Sequence, residues 1–279
     1  MNALDNLPVV IVPAYNESTV ILKLLRSLNE GVVSGHYNVV VACNGCKDDT
    51  TELVIQNFPE YICLDIEKAS KTNALNEAES LGLGYPRVYV DADVDISSES
   101  VLKLIQKASY HNEAQLVAPR GSINTSQSDT AVSLFYSAWT KTTFFINQGF
   151  GSGVYVLNKA ARDLFDRFPD VIADDGFVRH LSAGQNTLVC EDAVSAVEAP
   201  RTLSDLIKIK TRVKVGNSQL AGVVDTSTVS LPGRRFVVRP GVLEFIIYSL
   251  VNLYVRFKVN SELQKGSVPV WHRDESSRT

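Results

Sequence analysis

The sequence predicts an α/β protein: a mostly parallel sheet flanked by helices, with a helical extension at its C-terminal end. Short apolar runs rich in Val and Ile alternate with segments of helical periodicity over roughly the first hundred residues. A polar loop follows each run, and in parallel sheets ligands lie beyond the carboxyl ends of the strands. Residues 241–257 are almost continuously apolar and have helical spacing.

Four strands and three helices follow from these patterns. The strands are predicted at residues 7–13, 38–42, 61–66 and 87–90. The helices that follow the first three strands are predicted at residues 20–28, 50–58 and 71–81. Because parallel strands end at one edge of the sheet, we expect the loops after residues 13, 42 and 90 to converge on one crevice.

Composition restricts the classes of function. The chain has 279 residues and a net charge of -4, so nothing indicates a nucleic-acid partner. Four cysteines are too few for a disulfide framework, and the Cys43-x-x-Cys46 pair, which surrounds an Asn-Gly turn, is interpreted as two incidental thiols. The first residues lack the pattern of a signal peptide, so a cytoplasmic location is expected.

The fourth predicted strand runs into three carboxylates, Asp91, Asp93 and Asp95. In an extended chain, side chains two residues apart lie on one face, where like charges favour a bound cation. Hard oxygen ligands suit Mg²⁺ or Mn²⁺. A calcium loop of the helix-loop-helix type is excluded because Ile96 and Leu102 occupy its Gly and Glu positions. Solvated acids at a strand end remain the alternative.

Several segments resemble, in the same order, the motifs of family 2 glycosyltransferases of the GT-A fold. They are residues 9–17, 44–50, 71–76, 91–93, 151–155 and 174–177. The resemblance implies an inverting enzyme that uses a nucleotide sugar and a divalent metal. Two departures matter. The family usually has a second aspartate where this chain has Asn44, and the aromatic motif of processive synthases is absent, which argues against polymer synthesis.

The resemblance also implies the site residues. The donor site would comprise Pro13, Tyr15, Glu17, Asn44, Lys71, Asp91, Ala92, Asp93, Arg212 and Lys214. Asp93 would hold the Mn²⁺ or Mg²⁺, with Asp95 as a possible second ligand. Asp175 is the candidate general base and Asp174 the second choice, because a base must accept the proton of the attacking hydroxyl. Helix capping by this acid pair, and a solvated basic helix face for Arg212 and Lys214, are the alternatives.

The resemblance implies a catalytic domain followed by a C-terminal extension. Residues 1–220 would form the catalytic domain, with a donor half at about 1–97 and an acceptor half at about 98–220, and residues 221–279 the extension. The expected reaction is transfer of a sugar from a nucleotide-diphosphate sugar to the hydroxyl of a sugar or lipid-linked acceptor, in the synthesis of cell-surface polysaccharide or glycolipid. A sugar-1-phosphate nucleotidyltransferase would need a Gly-rich basic loop after the first strand. A non-catalytic nucleotide-sugar-binding protein would need no base.

The apolar helix predicted at residues 241–257 has one polar stripe. Glu244, Tyr248, Asn252 and Arg256 recur at every fourth position. The segment is shorter than the roughly 20 residues that span a bilayer. Three roles are open: peripheral membrane contact, a homodimer helix, or packing on the catalytic domain. Basic residues on both sides, from Arg234 to Arg239 and at Arg256 and Lys258, favour the inner face of the cell membrane.

Overall fold

The protein is described by a computed structural model that covers residues 6–110, 112–147, 149, 151–181, 187–220, 222–224 and 235–264. The strands formed by these residues are β1 (Val9–Ala14), β2 (Asn38–Asn44), β3 (Ile62–Ile66), β4 (Arg87–Val90), β5 (Asp95–Ile96), β6 (Leu116–Asn124), β7 (Val154–Leu157) and β8 (Thr187–Glu198). The helices are α1 (Ile21–Val33), α2 (Thr50–Asn57), α3 (Lys71–Glu79), α4 (Ser98–Ser109), α5 (Thr130–Trp139), α6 (Thr143–Ile146), α7 (Lys159–Arg162), α8 (Asp174–Leu181), α9 (Leu203–Leu220) and α10 (Val242–Gln264).

The strands form one mixed sheet in the order β3-β2-β1-β4-β7-β6-β8-β5. The half built from β3, β2, β1 and β4 is parallel, as predicted. Strand β7 runs antiparallel to both β4 and β6, and the short β5 runs antiparallel to β8 at the far edge. Strands β6 and β8 are parallel to each other. The predicted α/β fold with a C-terminal helical extension is therefore confirmed, and within the described sheet the antiparallel pairing involves β7 and β5.

Helices cover both faces of the parallel half, which explains its continuous apolar strands. In β1, Val10 and Val12 pack on the side of α1, whereas Val9 and Ile11 pack on the side of α3. All residues of β1, β2 and β4 are buried. A strand that is buried on both faces has no polar alternation, and this is the pattern that the sequence shows. The described cysteines are all free thiols.

A buried ion cluster lies below the end of α3. The side chain of Glu79 is only 7% exposed. Its carboxylate accepts a hydrogen bond from Tyr89 Oη at 2.7 Å and faces Arg162 Nε at 3.1 Å and Arg87 Nε at 3.7 Å. Glu79 is thus the counter-charge of both buried guanidinium groups. This cluster ties α3, β4 and α7 together.

Replacing Glu79 with Leu is expected to lower the free energy of unfolding by about 3–5 kcal/mol, because two buried guanidinium groups lose their counter-charge. Urea denaturation of the purified protein measures it. The matched control is Glu77→Leu on the same helix, where the side chain is 46% exposed and lies 3.9 Å from Arg167. That change should cost less than about 1 kcal/mol. Equal losses for the two variants would contradict a stabilising role for the cluster.

The C-terminal helix α10 packs on the rest of the chain through α5 and α9. Val251, Val255 and Val259 are buried in an apolar cluster with Phe135 and Leu206. The predicted polar stripe also faces inward at its start. Glu244 accepts hydrogen bonds from Ser137 Oγ (2.7 Å) and Lys141 Nζ (2.6 Å), and Tyr248 stacks on Phe135 with ring centroids 5.3 Å apart. The helix therefore contacts its own domain, one of the three roles considered.

These contacts stabilise the ionised form of Glu244. The hydrogen bond from Lys141, together with those from Ser137 and the Gly241 N–H, lowers the pKa of Glu244 to about 2. The carboxylate is thus charged at neutral pH and neutralised by Lys141. No helix in the described residues has both the length and the apolar character needed to cross a bilayer. Arg234, counted above among the basic flank, lies outside the described residues.

Candidate active site

The loops after β1 and β2 lie side by side at one edge of the sheet and are joined by hydrogen bonds. The bonds run from Lys47 N to Asn16 Oδ1 (2.7 Å), from Glu17 N to Thr50 Oγ1 (2.7 Å) and from Ser18 N to Asp48 Oδ2 (3.1 Å). The structure thus brings Pro13, Tyr15, Glu17 and Asn44 into one region, as predicted. Pro13 and Glu17 are buried, whereas Tyr15 is half-buried.

The side-chain amide of Asn44, at the end of β2, uses its NH₂ group but not its oxygen in hydrogen bonds with the described part of the chain. Its Nδ2 donates to Ala14 O at 2.8 Å and to Ala42 O at 3.3 Å. Its Oδ1 is buried and has no hydrogen-bond partner among the described residues. A buried acceptor without a donor is costly, so the position fits a ligand N–H group.

Gly45 makes the turn after Asn44 possible. Its φ angle is +65°, and a Cβ atom at this position would lie 2.7 Å from Ala69 Cβ. Only glycine combines this backbone conformation with so close a neighbour. The Asn-Gly dipeptide that the sequence analysis identified as a turn is therefore a requirement of the packing against the segment before α3.

The three carboxylates after β4 do not lie along one extended strand, so that prediction is wrong. The chain turns after β4, and Val94 N donates to Asp91 O at 3.1 Å. Asp95 then begins β5, which pairs with β8 at the opposite edge of the sheet, and its carboxylate lies 2.8 Å from Lys23 Nζ. The turn between the first and third acids separates their side chains, because period-two alternation holds only in extended chain.

The acidic turn is held in place by the glycine turn before β7. Gly153 O accepts a hydrogen bond from Asp91 N at 2.9 Å. With a φ of +66°, Gly153 has space only for hydrogen, since a Cβ atom would lie 2.4 Å from Val94 Cγ2. Ala92 is buried in this turn, and Asp93 is half-buried. Asp93 and Asp95 both line a small cleft that also contains Lys23 and Glu198.

Lys71 joins the acidic turn to the acid pair of α8. Ser70 caps α3, its Oγ accepting from Asn73 N at 3.3 Å, so Lys71 is the first residue of the helix. Its Nζ lies 2.7 Å from Asp91 Oδ1 and 2.9 Å from Asp174 Oδ1. Burial alone would lower the pKa of Lys71, but Asp174 and Asp91 raise it well above its usual range. The two carboxylates thereby also offset the unfavourable position of a cation at a helix start.

The two acids of α8 have different surroundings. Asp174 is buried, and both of its oxygens are engaged: Oδ1 with Lys71, and Oδ2 with Tyr155 Oη at 3.0 Å. Asp175 is half-buried, and its Oδ1 accepts from Gly176 N at 2.7 Å. Burial, followed by the charge of Asp174, raises the pKa of Asp175. Asp175 is therefore the more accessible of the two.

Sequence reasoning identified Tyr155 as part of a motif but gave it no role. Its ring stacks on Tyr89, with centroids 4.6 Å apart, and its hydroxyl holds Asp174. Its position in an apolar strand that follows two glycines was the available signal, since a tyrosine buried there must find a partner for its hydroxyl.

Carboxylates crowd this crevice. Burial raises the pKa of Asp91, and the charges of Asp174 and Asp93 add to the shift, while Lys71 opposes it. A divalent cation beside Asp93 would relieve this repulsion, so the donor set suits Mg²⁺ or Mn²⁺. Within the described ranges, no group of three or more His, Cys, Asp or Glu side chains is arranged to hold a metal. A metal would thus take one or two ligands from the protein and the others from phosphate or water.

Arg212 and Lys214 lie on different sides of α9. Gly216 faces Ile172 and Ala173, where a Cβ atom would lie 3.1 Å from Ile172 Cβ. Arg212, one turn earlier, is on that same side, toward the start of α8, and is half-buried. Lys214 is exposed and two residues from Gly216, which places it on the opposite side of the helix. By helix position, Arg212 therefore lies on the side of α9 that faces the start of α8, and Lys214 does not.

The chain matches one protein-family model. The model of the family described as "Glycosyl transferase family 2" matches residues 9–161, more than half of the chain. No curated protein matches the chain in sequence.

Solved structures share the fold. A mannosyltransferase from Pyrobaculum calidifontis, in complex with GDP-Man and Mn²⁺, has a TM-score of 0.58 and 18% identity, over 94% of this chain and 76% of that one. TarS (1-349) from S. aureus has a TM-score of 0.56 and 17% identity, over 95% and 75%. Glucosyl-3-phosphoglycerate synthase from Mycobacterium tuberculosis, in complex with Mn²⁺, UDP and glucosyl-3-phosphoglycerate, has a TM-score of 0.55 and 16% identity, over 86% and 92%. The likeness confirms the predicted GT-A fold.

Proposed function

Because this chain belongs to glycosyl transferase family 2, we propose that it transfers a sugar from a nucleotide-diphosphate sugar to an acceptor hydroxyl, with inversion and with a divalent metal. The observation that carries the proposal is the bridge from Asp91 through Lys71 to Asp174. Through this bridge, the acidic turn and the acid pair of α8 are separated only by the side chain of Lys71. We assign the turn to the donor side and the acid pair to the acceptor side. Leaving-group and base chemistry would then meet at one sugar carbon.

The metal would be Mn²⁺ or Mg²⁺, held by Asp93 together with the donor phosphates. When bound, such a cation neutralises the charge that develops on the departing nucleotide diphosphate. Asp95 is the second candidate ligand, and there the cation would have to displace Lys23, 2.8 Å away. The Mn²⁺ bound in the mannosyltransferase and the synthase supports this proposal by analogy.

Asp175 would act as the general base. Its carboxylate is half-buried, its pKa is raised, and Lys71 and Tyr155 hold its neighbour Asp174 in place. A base with a raised pKa accepts the proton of the attacking hydroxyl more readily at neutral pH. Attack from the side opposite the leaving group inverts the anomeric carbon. Asp174 would then position Lys71 rather than accept a proton.

The nucleobase would lie over the loops after β1 and β2, beside Tyr15 and Glu17. The unpartnered Oδ1 of Asn44 could accept a hydrogen bond from a base N–H group. Uracil and guanine both present an imino N–H, and the similar structures bind UDP or GDP-Man. An amide can therefore replace the family's usual aspartate at this position, because only an acceptor oxygen is needed.

The proposal also covers the basic residues of α9, the division of the chain and the acceptor. Arg212 would approach the donor phosphates, and Lys214 would contribute only long-range charge. Residues 1–97 would form the donor half, 98–220 the acceptor half and 221–279 the extension. Transfer would be non-processive, in polysaccharide or glycolipid synthesis on the cytoplasmic side. The acceptor would be a sugar or a lipid-linked sugar.

The proposal is tested by incubating the full chain with a panel of nucleotide sugars in the presence and absence of Mn²⁺. We expect a metal-dependent thermal shift with uridine or guanosine diphosphate sugars, and slow hydrolysis of the donor that yields the nucleoside diphosphate. Release of pyrophosphate from a nucleoside triphosphate and a sugar phosphate would instead indicate a nucleotidyltransferase. Binding without turnover, even with acceptors present, would indicate a non-catalytic binding protein.

A further inference from the structure

The outward side of α10 is an apolar surface. Its most exposed apolar residues, each between 44% and 79% exposed, are Val242, Leu243, Phe245, Ile246, Leu250, Leu253, Tyr254 and Phe257. We call this set the outer face of α10. Val237 and Val238, in the segment before the helix, are also about half exposed and extend it. Contiguous apolar surface of this kind marks an interaction site when it occurs on a folded protein.

The outer face is broad. At about 100° per residue, the positions from Phe245 to Tyr254 cover roughly half of the helix circumference. A seam between two paired helices needs only a narrow stripe at positions spaced by three and four residues. A helix that lies in the surface of a bilayer instead exposes a wide apolar face to the acyl region. The width therefore favours lipid over a second helix.

The charges around this face are positive. Arg235, Arg239 and Arg256 are exposed, and Lys258 is half-buried. On the helix, Arg256 lies at one edge of the outer face and Lys258 at the other, where long side chains can reach phosphate groups. Between residues 235 and 261 the one acidic residue is Glu244, which faces inward and pairs with Lys141 at 2.6 Å. This surface thus complements an anionic partner.

We propose that the outer face of α10 docks on the anionic surface of a lipid bilayer, with the helix lying in the plane of the membrane. The inner face of the helix remains packed on α5 and α9 through Val251, Val255 and Val259. The apolar side chains enter the boundary of the acyl region, and the four basic residues meet lipid phosphates. This surface is separate from the transfer site, so either proposal can fail without the other. Delivery of a lipid-linked acceptor from the membrane to the transfer site would require both proposals to hold.

The experiment uses the full chain, because removing α10 would expose the apolar cluster that its inner face completes. We expect the protein to sediment with vesicles of phosphatidylcholine and phosphatidylglycerol, and more weakly with phosphatidylcholine alone. The double variant Leu250→Glu, Leu253→Glu should reduce the partition coefficient by about a hundredfold or more, since burial of each leucine is worth roughly tenfold or more. Added salt should weaken binding without abolishing it, because apolar burial is not screened.

The matched control is Val33→Glu with Ile55→Glu, two exposed apolar positions on α1 and α2. This variant should sediment like the wild type, and thermal unfolding should show that both doubles are folded. Donor hydrolysis in solution should be unchanged in all three proteins. Wild-type protein that ignores anionic vesicles would overturn the proposal, as would sedimentation that survives the α10 double. The proposal would also be overturned if the wild type formed a stable dimer instead of binding vesicles, and if the α10 double variant abolished that dimer. The outer face would then bind a second copy of the chain.

Discussion

Replacing Asp175 with Asn is expected to lower the rate of sugar transfer by about 10²–10⁴-fold, the usual effect of losing a general base. Donor binding should stay close to that of the wild type, because the ion pairs of Lys71 with Asp91 and Asp174 are left in place. Asn keeps the size of the side chain and can still accept the hydrogen bond from Gly176 N. Turnover and the donor dissociation constant, measured separately, distinguish loss of the base from loss of binding.

Asp174→Asn is the matched control for this prediction. Both oxygens of Asp174 are engaged, by Lys71 and by Tyr155, so we propose a positioning role for it. The neutral amide can still accept one of these bonds, and we expect a smaller fall in turnover than for Asp175→Asn. A larger fall would reverse the two roles. A product that retains the anomeric configuration of the donor would refute a base that acts opposite the leaving group.

The pH dependence of transfer provides an independent check. Burial and the charge of Asp174 raise the pKa of Asp175, and a base must be deprotonated to act. The rate should therefore begin to fall, as the pH is lowered, at a higher pH than an ordinary aspartate would give. In Asp175→Asn this acidic limb should disappear from the residual activity.

Asp93→Ala is expected to lower transfer by at least about 10³-fold and to remove the effect of Mn²⁺ on nucleotide binding. The cation is proposed to supply several kcal/mol of charge stabilisation to the leaving group, and each 1.4 kcal/mol is worth about tenfold in rate. Calorimetric titration of the nucleoside diphosphate, with and without Mn²⁺, measures the binding part. Nucleotide affinity that still responds to Mn²⁺ as in the wild type would place the metal elsewhere.

Asp95→Ala separates the two candidate ligands. Asp95 is paired with Lys23 at 2.8 Å, at the start of a strand that lies at the far edge of the sheet. If Asp93 is the principal ligand, Asp95→Ala should retain most of the Mn²⁺ response and lose far less activity than Asp93→Ala. Equal losses would assign the metal to both side chains and would require Lys23 to move when it binds.

The parallel half of the fold was predictable because burial on two faces leaves a simple signature. Strands such as β1 must be apolar throughout, and the polar loops that follow them must meet at one edge. The course of the chain after Asp91 was not predictable in the same way. A hydrogen bond from Val94 to Asp91 creates the turn, and the pairing of β5 with the distant β8 fixes Asp95. The alternating carboxylates did not reveal the first contact, and the second joins segments that are far apart in the sequence.

The orientation of α10 could not be predicted from the sequence pattern either. Its spacing revealed a polar stripe but did not show which neighbour the stripe faces. Glu244 and Tyr248 instead turn inward, because Lys141, Ser137 and Phe135 offer an ion pair, a hydrogen bond and a stacking partner. Helical periodicity identifies which residues share a side of a helix, but the partners that decide which side is buried lie elsewhere in the chain.

The bridge at Lys71 also bears on the order in which ligands bind. One ammonium group is shared between Asp91 and Asp174, while Asp93 and Asp175 add negative charge on either side of it. A free nucleotide sugar is an anion and would meet a field of its own sign on approach. We therefore expect the donor to enter as its metal complex, ahead of the acceptor, and the nucleoside diphosphate to leave with its cation. The kinetic pattern would be sequential and ordered, and its association step would depend on the concentration of free metal.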